Sequence, residues 1–417
     1  MPRGDDADTR RAIEAVVRRS YGKLIAFLAA RTRDIAGAED ALADAFATAL
    51  NDWVEHGIPT TPEAWLLTVA RRRMIDAARR RHTAAVGVPT LELIADEIDE
   101  ASMHDSELPD DRLRLMFACA HPAIDASVRA PLMLQTILGF DAATIGSAFL
   151  VAPSTMGQRL VRAKTKIRQA GVPFRVPERD ELPERLDAVL DAIYATFAEG
   201  WVDPTGTQTR RRNLADEGLW LGRLVVELLP DSAEALGLLS LMLHAEARRA
   251  ARRDGRGDYV PLADQDTSRW DGAMIDEAEQ LLLRASGMRT IGRFQLEAAL
   301  QSAHAARRLT GVTDWSAIVK LYDTLLALTQ SPVVAVNRAV AVAERDDAEA
   351  GLRILDLLTD DARLADYQPY WAARASLEKR IGRLDAARSA YERAIGLESD
   401  PAVRAFLQRE QQALGVA

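Results

Sequence analysis

Apolar residues recur at helical spacing along nearly the whole of this chain, and runs of β-branched residues are short. Alanine, leucine and arginine dominate, so one pattern, with a period near 3.6, runs through the sequence. Repeated βαβ units are absent, and no GxGxxG or GxxxxGK[ST] stretch cradles a phosphate. The expected fold class is all-α, and nucleotide-dependent chemistry is disfavoured. At 417 residues, 48% of them hydrophobic, the chain has length for two or three domains with real cores. It has no apolar run long enough to span a bilayer and no secretory pattern at its start. A single cysteine, Cys119, excludes an intramolecular disulfide framework and fits a reducing cytoplasm. Cys119 and His121 alone fall short of the four ligands of a structural zinc site, so a core cysteine beside a capping or core histidine is expected, with no metal and no cofactor.

Charge is distributed unevenly. The net charge is -9, yet Arg71, Arg72, Arg73, Arg79, Arg80 and Arg81 form one basic cluster, and Arg159, Arg162, Lys164, Lys166 and Arg168 another. Local positive helices on an acidic chain point to a defined anionic partner. The first cluster ends a helical block over residues 10–82. There Leu42, Ala45, Phe46, Ala49, Leu50 and Trp53 make an apolar stripe, with Glu39, Asp40 and Asp44 opposite. Thr61-Pro62-Glu63 reads as an N-cap and a proline in the first turn, opening a helix to about Arg81. In that helix Leu66, Val69, Ala70, Met74 and Ala77 face inward and the arginines face away; Trp65 is placed either to stack on a base or to pack. Residues 92–111 carry nine acids and no lysine or arginine, the composition of an exposed linker.

The second cluster follows a helix-turn-helix pattern. A small core of Leu113, Leu115, Met116, Phe117, Leu132, Leu134, Ile137 and Leu138 precedes Gly139. Asp141 then caps a short helix, Leu150-Val151-Ala152-Pro153 turns, and Ser154 or Thr155 opens a second helix. Met156, Leu160, Ala163 and Ile167 share one side of that helix. Ser154, Gln158, Arg162, Thr165 and Gln169 share the other, with Arg159 and Lys166 flanking, a face able to read base edges and meet phosphates in a major groove. Further on, helical stretches at Leu186 to Phe197, Ala215 to Leu229 and Glu234 to Arg248 alternate with polar loops. The loop from Asp264 to Trp270 has paired acids but no nucleophile or metal set, so capping rather than catalysis is expected. Residues 331–407 show helix pairs with a period near 34 residues and small alanines at contact positions, as in tetratricopeptide repeats.

These motifs, in this order, resemble the extracytoplasmic-function class of RNA polymerase sigma factors. Ala38 to Phe46 resembles the region-two helix that docks on the polymerase clamp, Ala64 to Asp76 the segment that melts and recognises the -10 element, and Phe140 to Arg168 the region-four helix-turn-helix of the -35 element. Thr144 stands where an acid is usual, Leu150 where a turn glycine is usual, and Gly146 and Gly157 lie within helices. Arg112 to Phe117, His121-Pro122, Asp264 to Trp270 and Ser331 to Ala343 extend the likeness to a subfamily with a helical, repeat-bearing C-terminal extension. The resemblance implies a region-two-like domain over 10–85, an acidic linker over 86–111, a region-four-like domain over 112–177, a helical extension over 181–330 and tetratricopeptide-like repeats over 331–407. It implies a non-enzymatic cytoplasmic protein whose partners are bacterial core RNA polymerase and promoter DNA, with a protein or small-molecule regulator acting through the extension and no membrane. Asp40, Asp44 and Phe46 are then the core-polymerase contacts. Trp65, Arg71, Arg72, Arg73 and Arg79 meet the -10 element, and Ser154, Thr155, Gln158, Arg159, Arg162, Lys164 and Lys166 the -35 element. The competing readings are a polymerase-independent operator-binding regulator whose C-terminal half senses a ligand or dimerises, and an interaction scaffold.

Overall fold

A computed structural model of the protein describes residues 6–82, 111–149, 151–172, 175, 177–178, 181–201 and 209–415. It is all-α: the described residues contain no strand beyond one isolated bridge between Arg253 and Tyr259. The chain divides into two compact units, Met1–Thr196 and Phe197–Ala417. Most of the expected acidic linker lies outside the described residues.

The first unit contains helices α1 (Asp6–Thr32), α2 (Ile35–His56), α3 (Pro62–His82), α4 (Arg112–Cys119), α5 (Ala126–Leu138), α6 (Ala142–Ala148), α7 (Pro153–Ala170) and most of α8 (Leu182–Trp201). Local chemistry sets their ends. Asp34 accepts the Gly37 N–H at 3.0 Å to open α2, which stops at Gly57, at φ 88°. Pro62 occupies the first turn of α3, as its fixed φ and missing N–H favour. Asp125 caps α5, which ends on left-handed Gly139. Leu24, Ile25, Leu42, Trp53 and Leu66 are fully buried among α1, α2 and α3. The α2 stripe is narrower than its spacing suggested: Leu50 is 42% exposed and Phe46 half-buried, since Ala41 and Ala45 take the contact positions.

Helices α4 and α5 pack on α1, so the two N-terminal segments expected as separate domains share one unit. A Cβ on Gly22 of α1 would lie 2.3 Å from the Ile137 carbonyl oxygen of α5, an approach only glycine allows. Asp111, at the end of the acidic stretch, is not exposed. It is 3% accessible, stands at the N-terminus of α4 and pairs with Arg31 at 3.5 Å and Arg114 at 2.9 Å. Cys119 is buried with Sγ 3.8 Å from the Thr136 hydroxyl, and His121 Nδ1 accepts the Ala123 N–H. The two side chains thus have separate partners.

The second unit holds α9 (Thr209–Leu228), α10 (Ala233–Ala247), α11 (Gly272–Gly287), α12 (Arg293–Ala305), α13 (Arg307–Thr310), α14 (Trp315–Thr329), α15 (Pro332–Arg345), α16 (Ala348–Asp356), α17 (Gln368–Arg380), α18 (Leu384–Leu397) and α19 (Pro401–Gln412). Helix α10 is buried nearly all round, against α11 and α12. Glu234 of α10 accepts the N–H groups of Phe294 and Gln295, each at 3.0 Å, satisfying orphan donors at the start of α12. From α14 onward each helix packs mainly on its neighbours in sequence, and Ala339, Ala343, Ala375, Ala387, Ala390 and Ala394 hold the contact positions. The loop between α10 and α11 is tied down by arginines. Arg307 donates to the carbonyls of Leu262, Ala263 and Gln265, Arg269 to those of Ala250 and Arg253, and Arg253 to Asp400 at 2.6 Å. Asp266 accepts the Ser268 N–H at 2.9 Å and Asp271 caps α11, so these acids serve turns and caps.

His244, buried on α10, has its pKa pushed down to about 4 by burial and by Arg248 and Arg308. Glu279 approaches Nε2 at 3.5 Å but from a half-exposed position, too weakly to offset them. Because the unfolded imidazole takes up its proton near pH 6.5, this stabilisation is whole above that pH and is lost as pH falls towards 4. We expect the thermal midpoint of the protein to drop over this interval, with a loss of a few kcal/mol. In His244→Gln the drop should be shallower; an unchanged slope in calorimetry would contradict the assignment.

Candidate nucleic-acid interface

Helices α6 and α7 form a compact helix-turn-helix. Asp141 Oδ1 accepts the Thr144 N–H at 2.7 Å, capping α6 as its sequence suggested. The Val151 N–H donates to the Gly146 carbonyl at 2.8 Å, and a Cβ on Gly146 would lie 2.5 Å from the Val151 carbonyl oxygen. Gly146 is therefore what lets the turn fold back on α6, and its helix-propensity cost is offset locally. Gly157 has no such role, since a Cβ there would make only an ordinary 3.8 Å contact with Ala142. Leu150 lies outside the described residues. Helix α7 begins at Pro153, one residue before the expected Ser154, because proline suits a first-turn position and Ala152 supplies no side-chain cap.

Met156, Leu160, Ala163 and Ile167 are all buried, so the inward side of α7 is as its period dictates. Ser154, Thr155, Gln158, Arg162 and Lys166 are exposed and Arg159 is half-buried. Four of these, Ser154, Gln158, Arg162 and Lys166, follow one another at a spacing of four along a single stripe. The stripe holds two amide or hydroxyl groups, which accept and donate, then two cations. Val161 is also 66% exposed, an apolar group suited to a thymine methyl. Lys164 does not join the stripe. Its Nζ lies 2.5 Å from Glu39 Oε2 of α2, with the side chains 12% and 18% exposed. Arg168 reaches the Asp34 carboxylate at 4.0 Å. Burial raises the Glu39 pKa, and Lys164 works in the opposite direction.

On the other candidate surface, Asp40 and Asp44 of α2 are exposed and Phe46 is half-buried beside them. Trp65 of α3 is half-buried and packs against Trp53 in a T-shaped arrangement, ring centroids 5.4 Å apart at 69°. Arg72 and Arg73 are exposed and Arg71 is half-buried; Arg79 lies on α3 with its side chain outside the description. Arg73 lines a shallow cleft with Asp44, Thr48, Asn51, Asp52 and Glu55 of α2, a mixed-charge wall rather than a basic one. Sequence reasoning missed Glu39 and Asp34 as partners of the second basic cluster. They stand about 130 positions from it, and no local spacing links them.

Comparison with known proteins adds an independent constraint. Residues 16–83, which cover most of α1 and all of α2 and α3, match the model for Sigma-70 region 2. Residues 185–286 match a family of unknown function (DUF6596). An uncharacterized protein of Rhizobium meliloti is 37% identical over 383 residues, covering 91% of this chain and 90% of that protein. No solved structure matches the chain. Likeness at that level, along nearly the full length of both chains, means that this chain belongs to the same family as the Rhizobium meliloti protein, with a Sigma-70 region 2 at its N-terminal end and a helical extension after it.

Proposed function

We propose that the protein is a sigma factor of the extracytoplasmic-function class, which binds bacterial core RNA polymerase and directs promoter-specific initiation. The observation that carries this reading is the Sigma-70 region 2 match on α1, α2 and α3. In support, the α2 segment assigned to polymerase docking presents Asp40 and Asp44 to solvent. Downstream, α6 and α7 form a helix-turn-helix whose exposed stripe has the amides, hydroxyls and cations that major-groove recognition needs. The protein performs no bond chemistry of its own in this account, and it works in the cytoplasm where polymerase is.

The residues divide by task. Asp40 and Asp44 meet basic groups on the polymerase clamp, with Phe46 adding apolar area. Arg72, Arg73 and Arg79 neutralise phosphates near the -10 element, while Trp65 and Arg71 position that surface from below. Ser154, Thr155, Gln158 and Arg162 read the -35 element, and Arg159 and Lys166 grip its backbone. The extension, with tetratricopeptide-like helix pairs over 331–407, is the regulatory half, taking a protein or small molecule as its signal.

Transcription by purified core polymerase with and without the protein, on a library of upstream regions, tests the reading directly. Discrete start sites that depend on the protein are expected. Core binding and initiation both absent, with tight binding to palindromic duplexes, would favour an operator-binding regulator instead. Arg162→Ala should weaken -35 duplex binding by about 1–3 kcal/mol and leave core binding intact. Asp40→Ala should reverse that pattern; equal loss of both in both variants would mean the surfaces are misassigned.

A further inference from the structure

Two arginines of the extension are buried to the same depth in opposite surroundings. Arg253 and Arg248 are each 8% accessible. Arg253 meets the Asp400 carboxylate at 2.6 Å. Arg248, just past the last turn of α10, meets no carboxylate among the described residues. Its Nε donates to the His244 carbonyl at 3.3 Å and its Nη2 to the side-chain oxygen of Gln301 on α12. Burial, with Arg252 and Arg307 nearby, lowers its pKa to about 10, so it is still charged at neutral pH. Neutral oxygens offset only part of the cost of taking such a charge out of water.

The groups around it are also short of partners. His244 stands one turn before Arg248, 1% accessible, and neither ring nitrogen makes a hydrogen bond. His304, one turn after Gln301 on α12, is half-buried and forms a T-shaped pair with Trp315, centroids 5.7 Å apart. Arg307 serves three carbonyls and the Trp270 ring but, like Arg248, no acid. Burial depresses both imidazoles to about 4, helped by Arg248 and by Arg308 at His244 and Arg307 at His304. The acids close by are engaged elsewhere or stand back. Asp276 pairs with Arg308 and Glu246 with Arg249, while Glu279 stands 3.5 Å from His244 Nε2 in a half-exposed position.

We propose that Arg248, His244, His304 and Arg307 form a binding site for the phosphoryl group of a small molecule. Guanidinium and imidazole N–H groups are the donors a tetrahedral oxyanion needs, and two guanidiniums without acids match its two negative charges. Gln301 and His304 are half-buried, so solvent reaches the cluster along α12. Arg248 itself is nearly covered, which admits one small group and excludes a duplex backbone. Under the sigma reading this is where the extension receives its signal; the site itself stands without that reading.

Calorimetric titration of the full-length chain with inorganic phosphate and with glycerol 3-phosphate tests the site. One ion bound per chain is expected, and the tighter probe tells a free ion from an esterified phosphoryl group. Arg248→Met should weaken binding about tenfold or more. His304→Gln should weaken it less, and Arg353→Gln, which removes an exposed cation of α16, should leave it unchanged. Without phosphate, Arg248→Met should melt at or above the temperature of the parent, because it removes a buried charge that has no counter-ion. A lower melting temperature with phosphate binding intact overturns the site and makes Arg248 structural. If Arg248→Met does not fold, His304→Gln decides, and unchanged binding there overturns the site. Binding of citrate but of neither phosphate probe overturns the phosphoryl assignment. Initiation absent with and without phosphate, while binding responds as expected, overturns the sigma reading and leaves the site standing.

Discussion

Helices in this chain come together where alanine and glycine stand at the crossing points, and the rest of the architecture depends on that closeness. Gly22 admits the Ile137 carbonyl, which brings α5 onto α1. Gly237 lies so near Gln295 that a Cβ would sit 2.6 Å from its backbone nitrogen, which sets α10 against α12. Gly351 meets Ala343 and Ala339 in the same way between α15 and α16. Close approach removes both faces from water with short side chains, which lose little conformational entropy on burial. The longer apolar residues then fill the space beside each crossing.

Polar chemistry follows from this packing. Helix ends that crowd together leave donors and acceptors that must be satisfied locally. Carboxylates answer at helix starts, as with Asp34, Asp125, Asp141 and Asp271, and Glu234 reaches from one helix to serve another. Guanidinium groups answer for carbonyls in the loop between α10 and α11. Much of the arginine in the extension is thus structural, and basic residues cannot be assigned to a nucleic-acid partner from composition alone. The same lesson holds for α7: of two neighbouring cations, Arg162 faces solvent and Lys164 turns inward to Glu39.

Much of the local structure was legible in the sequence because it rests on spacing of a few residues. Met156, Leu160, Ala163 and Ile167 are all buried, as a period of 3.6 requires. Asp141 caps α6, and Pro62 opens α3. Asp264 lies in a short 3-10 turn, and Asp266 accepts the Ser268 N–H as a local cap. Where spacing was the only guide it also misled. Leu50 has the period of the α2 stripe but faces solvent.

By itself, then, the sequence determined the all-α class, the buried side of α7 and the helix-turn-helix, since these depend on local propensity, capping and periodicity. Only the tertiary structure decided which helices meet. It put α4 and α5 on α1, buried Asp111 between Arg31 and Arg114, and took Lys164 from the candidate DNA face to Glu39. The physical reason is range: such contacts join groups far apart in the chain, and a charge pattern states how many partners a surface needs but not where along the sequence they lie.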